Sequence, residues 1–261
     1  MSNERVTQVI NGDHYLPFML ELAAESGKMI LPYAGNAGEA TQKSKADFVT
    51  EMDLKVEKYI INQILQRYPE HRIFSEEIGV LGDSKEYEWV IDPIDGTINY
   101  SMGLPLYGIS IALCYQDECI AGVIALPALA ETFWAVKGKG TFMNGKKVTM
   151  RQCELSEAYV SFGDFSKEGN RQSNAHRLAA FGNLVNEVYR IRMVGSAAVT
   201  MSYIAAGRLD AAVYVKPNRY DVAAGELLVS EAGGTWMKSE GYTIYGKEHI
   251  AKELIELLPV L

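Results

Sequence analysis

The stretch Glu88-Trp89-Val90-Ile91-Asp92-Pro93-Ile94-Asp95-Gly96-Thr97 reads as an apolar strand running directly into two carboxylates three residues apart. Folding alone does not call for acids there. Pro93 fixes one backbone dihedral and holds Asp92 extended, while Gly96 permits the turn and close approach that a bulkier residue resists. Both carboxylates can then face one point. Converged carboxylate oxygens are hard ligands suited to Mg²⁺ or Mn²⁺, which leave positions open for water and phosphate. Turn chemistry alone also accounts for Asp-Pro-x-Asp-Gly, so the remaining acids must decide between the two readings.

Ser75-Glu76-Glu77 follows the short apolar segment Arg72-Ile73-Phe74, which puts a second carboxylate pair at the end of a strand. Asp47-Phe48-Val49-Thr50-Glu51-Met52-Asp53 precedes an amphipathic run, where Asp53 reads equally as a helix N-cap or as a ligand. Asp221, in Tyr220-Asp221-Val222-Ala223-Ala224-Gly225-Glu226, opens a later helix and carries the same two readings, which are compatible.

The chain has 261 residues, 48% hydrophobic and 22% charged, which suits an ordinary soluble protein of one large domain or two fused subdomains. Its formal net charge of -8 argues against nucleic acid as the main ligand. Cys114, Cys119 and Cys153 lack the paired spacing of a zinc site and leave one over, so buried reduced thiols and a cytoplasmic setting are expected. The opening Met1-Ser2-Asn3-Glu4-Arg5 has no apolar signal core. The longest apolar stretches are broken by Gln116-Asp117-Glu118 and by Pro127, too soon for a membrane span. His14, His71, His176 and His249 stand singly, with none at metal-binding spacing from another.

Apolar residues from Leu16 to Leu31 recur at helical spacing and stop at Pro32; Val56, Ile60, Ile64 and Tyr68 mark a second helix ended by Pro69. Gly35 to Ala46 reads as a mobile polar loop carrying Lys43 and Lys45. Gly108 to Tyr115, Glu118 to Leu126 and Thr132 to Val136 read as antiparallel strands. Farther on come a strand near Tyr159 to Phe162, a helix from about Asn174 to Val188 and a strand near Tyr189 to Met193, with a subdomain junction at Arg151 to Ser156. Gly140-Thr141-Phe142-Met143-Asn144-Gly145-Lys146-Lys147 nearly spells a nucleotide phosphate loop, but Lys147 stands where Ser or Thr must hold Mg²⁺. Asn144-Gly145 between two strand-like runs is a hairpin signal instead.

Taken together, these segments resemble the inositol monophosphatase family of metal-dependent phosphatases. The family's Asp-Pro-x-Asp-Gly-Thr, followed by x-Asn and an aromatic, stands as Asp92-Pro93-Ile94-Asp95-Gly96-Thr97-Ile98-Asn99-Tyr100. Its upstream Asp-x-Val-Thr-x-x-Asp element is Asp47 to Asp53, its paired glutamates are Glu76 and Glu77, and its late Asp-x-Ala-Ala-Gly element is Asp221 to Gly225. Gly195-Ser196-Ala197-Ala198 and Glu231-Ala232-Gly233-Gly234 look like family segments in the family's order, so the resemblance spans about Asp47 to Gly234.

The resemblance implies a mixed α/β fold, a layered α-β-α-β-α sandwich of the inositol monophosphatase and fructose-1,6-bisphosphatase type. It divides into an N-terminal α+β subdomain, 1–152, with most metal ligands, and a C-terminal α/β subdomain, 153–261, supplying Asp221. It implies two or three Mg²⁺ ions, one held by Glu76, Asp92 and the carbonyl of Ile94, a second by Asp92, Asp95 and Asp221. Asp53 and Thr97 are the pair that orients and deprotonates the attacking water, with Glu76 also in the catalytic set. Attack is then direct, with no phosphoenzyme. Gly96 and Thr97, through backbone N–H groups at a helix start, would cradle phosphate; Gly195, Ser196 and Ala197 belong to the substrate site, and Glu77 and Lys43 are further candidates.

The implied substrate is a small phosphorylated metabolite resembling inositol monophosphate. Lithium sensitivity and a homodimer are implied as well, with no membrane and no nucleic acid as main ligand. The chain departs from inositol-preferring members in having Tyr214 where an acid stands seven positions before the late Asp, and Tyr220 where Trp is common. Lys216 and Arg219 read either as solvated loop charges or as facing a second anionic group, and the departure as a whole keeps open a sugar bisphosphate, a 3′-phosphonucleotide or histidinol phosphate. A binding or regulatory protein on the same fold is the competing class.

Overall fold

The structure is a computed structural model, and it describes residues 12–36, 41–42, 48–165 and 171–259 of the chain. Apolar spacing at the N-terminus builds α1 (Leu16–Ile30), which buries Phe18, Met19, Leu22 and Ala23 and gives way at Pro32 to a single 3₁₀ turn. A short antiparallel pair, β1 (Thr41–Gln42) and β2 (Phe48–Val49), leads into α2 (Glu51–Arg67), which buries Met52, Val56, Ile60 and Ile64. Lys43, Lys45 and Asp47 lie outside the described residues.

The next segment is a sheet of eight strands: β3 (Arg72–Ser75), β4 (Gly79–Leu81), β5 (Tyr87–Asp95), then, after the short helix α3 (Thr97–Ser101), β6 (Gly108–Tyr115), β7 (Glu118–Leu126), β8 (Glu131–Val136), β9 (Gly140–Met143) and β10 (Lys146–Val148). Their order is β10-β9-β8-β7-β6-β5-β3-β4, and only β3 and β5 run parallel. Residues alternate between faces along each strand. Trp89, Ile91, Ile111 and Val123 meet α1 and α2, while Val90, Ala112, Ile124 and Phe133 face the other way into a second core. Burial on both faces is why β5 reads as an unbroken apolar run rather than an alternating one.

That second core is filled from the C-terminal half, built from β11 (Tyr159–Phe162), α4 (Arg171–Val185), β12 (Arg190–Arg192), α5 (Ala197–Ala205), β13 (Ala211–Val215), α6 (Arg219–Glu231), β14 (Thr235–Ser239), β15 (Tyr242–Gly246) and α7 (Glu248–Leu257). The five strands are ordered β12-β11-β13-β15-β14. Met201 and Ile204 of α5 and Val222, Ala224 and Leu228 of α6 pack between the two sheets, while Ala180, Leu184, Ile250 and Leu254 of α4 and α7 cover the outer face. The result is the layered α-β-α-β-α sandwich.

Two readings of the sequence are settled here. Gly140 to Lys147 forms the β9–β10 hairpin, with Asn144 and Gly145 both at positive φ, 47° and 78°. The expectation of three reduced thiols is corrected: Cys114 and Cys119 are register partners across the β6–β7 hairpin and are joined as a disulfide, leaving Cys153 free and buried. Spacing did not reveal the pair because Gln116 and Asp117, both at positive φ, fold the chain back within so short a separation.

One core contact is pH-sensitive. His71 lies between the rings of Tyr68 and Tyr87, nearly parallel to both at 4.9 and 4.6 Å, and its Nδ1 accepts from Trp89 Nε1 at 3.1 Å. Burial lowers the His71 pKa, so the folded state disfavours the protonated ring. Its contribution is full above the unfolded value of about 6.5 and declines as pH falls below it. Urea midpoints followed by Trp fluorescence should therefore fall more steeply between pH 7.5 and pH 5.5 in the unaltered protein than in His71→Phe; equal slopes would contradict the assignment.

Candidate active site

The site starts at an irregularity in β5. The β5–β6 register is regular up to Asp92 and resumes, shifted, at Asp95. Pro93 has no N–H to give the ladder, and the break turns two carboxylates that regular alternation would separate toward one side. Asp221, from the first turn of α6, meets them: one carboxylate oxygen from each of Asp92, Asp95 and Asp221 lies within 4.8 Å of the others. Glu76 follows β3, and its N–H donates to Ile91 O at 3.3 Å, so the Glu76 segment is pinned alongside β5.

Asp92 and Asp95 are 2% and 5% exposed, and Asp92 Oδ1 has no hydrogen-bond partner. Burial, then the negative charges of Glu76, Asp95 and Asp221, push the Asp92 pKa well above the carboxylate range. Burial raises Asp95 to about 6 against the hydrogen bonds it accepts. A buried, unpartnered carboxylate oxygen amid three further acids fits a hard divalent cation, for which such oxygens are the preferred donors.

Asp53 and Thr97 are brought together, with Thr97 Oγ1 3.3 Å from Asp53 Oδ1 and 3.0 Å from Ile94 O. The N-cap readings of Asp53 and Asp221 are corrected. Thr50 caps α2 and Asn218 caps α6, and each Asp is the third helical residue, reaching back to the N–H of its cap at 2.9 and 3.2 Å. These reciprocal capping boxes fix both carboxylates to helix starts. Burial raises the pKa of Asp53, opposed by its bonds from Thr50 and Thr97.

Ser196 Oγ and the N–H groups of Ala197 and Ala198, at 3.1 Å each, donate to Asp95. The start of α5 therefore orients a carboxylate. Asn99 Nδ2 donates to Leu106 O at 2.7 Å and to Val194 O at 2.9 Å, tying the motif to the Gly195 segment of the other half. Gly96 is left-handed at φ 84°, and a Cβ there would fall 2.9 Å from Leu106 O, so glycine is required. A cavity of about 200 Å³ opens here, lined by Asp95, Asp164, Gly195, Ser196, Ala197, Tyr214 and Asp221 among others.

Lys216 and Arg219 are not among the residues that line it. They line a separate cavity of about 620 Å³ together with Val222 and Glu226 of α6, and Arg219 is ion-paired to Glu88. Sequence reading also missed Glu57 and Asp164. Glu57 Oε1, buried on α2, accepts from Ser75 Oγ and from the N–H groups of Glu77 and Ile78 at 3.0 and 3.2 Å, holding the loop that carries Glu76. An acid one turn after Asp53, on the face marked by Val56 and Ile60, was the available signal. Asp164 gave none.

The model of the inositol monophosphatase family matches residues 11–255, and the chain belongs to that family. It is 34% identical to a fructose-1,6-bisphosphatase/inositol-1-monophosphatase of Aquifex aeolicus, covering 82% of this chain and 78% of that one. It is 37% identical to the Nus factor SuhB of Escherichia coli, over 76% of this chain and 74% of that protein. The crystal structure of the extragenic suppressor protein suhB of Bartonella henselae superposes with a TM-score of 0.87 at 30% identity, covering 94% and 98% of the two chains.

Metal-free protein should gain from losing a charge. Because the folded pKa of Asp92 and Asp95 is raised, their favourable contribution is full below about 4 and is lost as pH rises through the folded values, about 6 for Asp95. In EDTA at pH 7.5, Asp92→Asn should melt at or above the temperature of the unaltered protein, with the gap closing toward pH 5. A clearly lower melting temperature at pH 7.5 would show that the ionised carboxylate is stabilising and that the cluster is misread.

Proposed function

We propose that the chain is a Mg²⁺-dependent phosphomonoesterase acting on a small phosphorylated metabolite resembling inositol monophosphate. The observation that carries this is the buried carboxylate cluster with its unpartnered Asp92 oxygen, set beside the Asp53–Thr97 pair. Glu76, Asp92 and the Ile94 carbonyl would hold one ion, and Asp92, Asp95 and Asp221 a second, with room in the proposal for a third. Bound there, Mg²⁺ supplies neutralisation of charge on the transferring group and acidification of water.

The chain's own residues do the rest. Thr97 Oγ1 accepts a proton from the attacking water as its own proton passes to Asp53 Oδ1, a transfer supported by their 3.3 Å separation. The N–H groups of Gly96 and Thr97, at the start of α3, hold the phosphate. Attack is direct, without a phosphoenzyme. The two halves, 1–152 and 153–261, contribute jointly, the second through Asp221 and the Gly195–Ala197 segment.

For the leaving group, the cavity offers Asp164 and Tyr214 and, among the described lining residues, no cation. That favours a monophosphate over a sugar bisphosphate; a 3′-phosphonucleotide and histidinol phosphate remain alternatives with the same chemistry. Lithium inhibition belongs to the same proposal. So does a homodimer, supported by Ile98, Met102 and Leu104, exposed beside the site. A cytoplasmic setting is proposed too; among the described residues, no helix is long and apolar enough to cross a membrane. A second reading, a binding or regulatory role on this fold, draws on the Escherichia coli relative called a Nus factor.

Purified protein assayed on a panel of phosphomonoesters should hydrolyse one or more, stop in EDTA and recover with Mg²⁺ but not with Ca²⁺, whose longer bonds and higher coordination misplace the reacting groups. Asp92→Asn should lose nearly all turnover and Asp221→Asn most of it. Near-normal turnover in Asp92→Asn contradicts the assignment, and no hydrolysis of any ester favours the binding role. Light scattering on the same preparation should return twice the chain mass; a single-chain mass contradicts the dimer.

A further inference from the structure

Arg219 has a destination that the proposed chemistry does not use. Its guanidinium is bonded to Glu88 Oε2, and the other oxygen of the same carboxylate, Oε1, is 3.0 Å from Arg72 Nε, an ion pair by distance without hydrogen-bond geometry. The Glu88 side chain is 11% exposed against 40% for each arginine, so this is a mostly buried acid bridged by two cations. Arg72 and Glu88 are register partners on the parallel strands β3 and β5, while Arg219 opens α6.

Each element joined by Glu88 delivers a carboxylate to the cluster. β3 leads into Glu76, β5 carries Asp92 and Asp95, and α6 carries Asp221 two residues after Arg219. Glu88 and Asp92, four residues apart on β5, point to the same face. Tyr220, between Arg219 and Asp221, packs on Phe74 of β3 with ring centroids 5.9 Å apart. The first turn of α6 is thus fastened to both strands by an ion bridge and a ring contact, and Asp221 is held over Asp92 in consequence.

We infer that the Arg72–Glu88–Arg219 bridge positions the carboxylate cluster, fixing the start of α6 against β3 and β5 and so setting the span between Asp221 and Asp92. Arg219 is a positioning residue, and its effect falls on metal affinity, not on recognition of substrate charge. The inference rests on the metal-dependent reading of the same cluster. Removing one partner leaves a buried acid less compensated, and α6 is then free to shift by the small amounts that cation coordination does not tolerate.

The test is Mn²⁺ binding to metal-free protein by calorimetry, alongside melting in EDTA and steady-state kinetics on a monophosphate and a bisphosphate. Arg219→Met should weaken Mn²⁺ binding about tenfold, within the usual range of coupling between linked sites, while KM at saturating metal stays the same for both substrates. Glu88→Gln should do the same, and the double variant should be no worse than either single one, because the two act as a unit. Arg219→Lys, which keeps the charge, should recover most of the loss. Arg151→Met, which breaks the 2.7 Å pair with Asp210 in the C-terminal half, should lower the melting temperature and leave Mn²⁺ binding unchanged. Unchanged Mn²⁺ binding in Arg219→Met, or a KM rise confined to the bisphosphate, overturns the inference and leaves the metal-dependent reading standing. Absence of Mn²⁺ binding by the unaltered protein overturns both.

Discussion

Mutual repulsion among buried carboxylates is the constraint on which the rest of the site depends. Two unit charges 4 Å apart at an effective dielectric of about 20 repel by about 4 kcal/mol, and domains of this kind are stable by only about 5–15 kcal/mol. Asp92, Asp95 and Asp221, with Glu76 acting on Asp92, cannot all remain charged without a cation or a proton between them. The raised pKa values express that conflict in the metal-free protein. A divalent cation would resolve it at a cluster already assembled.

Assembly is accomplished by devices that would otherwise look unrelated. The break in β5 turns Asp92 and Asp95 to one side, and the start of α5 grips Asp95 with a hydroxyl and two N–H groups. Capping boxes lock Asp53 and Asp221 onto their helices, and Glu57 anchors the loop of Glu76. Asn99 reaches from one half of the molecule to backbone carbonyls at Leu106 and Val194. Each device fixes a carboxylate or its carrier against repulsion, so the stability of the layers is what allows an unfavourable cluster to persist.

Local chemistry made much of this legible from sequence. The apolar run of β5, the Asn144-Gly145 hairpin and the helices ended before Pro32 and Pro69 follow from interactions within a few residues. The family elements around Asp92, Asp95 and Asp221 pointed to one site because their residue types suit one chemistry. What was hidden depends on long-range placement. Arg219 lies 131 residues from Glu88, and only the fold shows that the two are paired. Asp53 and Asp221 looked like caps because short polar and acidic residues suit both the N-cap and the N3 position of a capping box. Glu57 looked like an ordinary charge on an amphipathic helix, and the pairing of Cys114 with Cys119 depended on a tight turn that spacing alone does not reveal.

At the centre stands the proposal that carboxylates on β5, on α6 and directly after β3 converge to hold divalent cations. Anomalous diffraction from crystals of this protein grown with Mn²⁺ tests it most directly. One peak is expected between Glu76, Asp92 and the Ile94 carbonyl and another between Asp92, Asp95 and Asp221, with Asp92 touching both. Well-ordered density for these side chains with no anomalous peak among them, or Mn²⁺ bound only elsewhere, would contradict it.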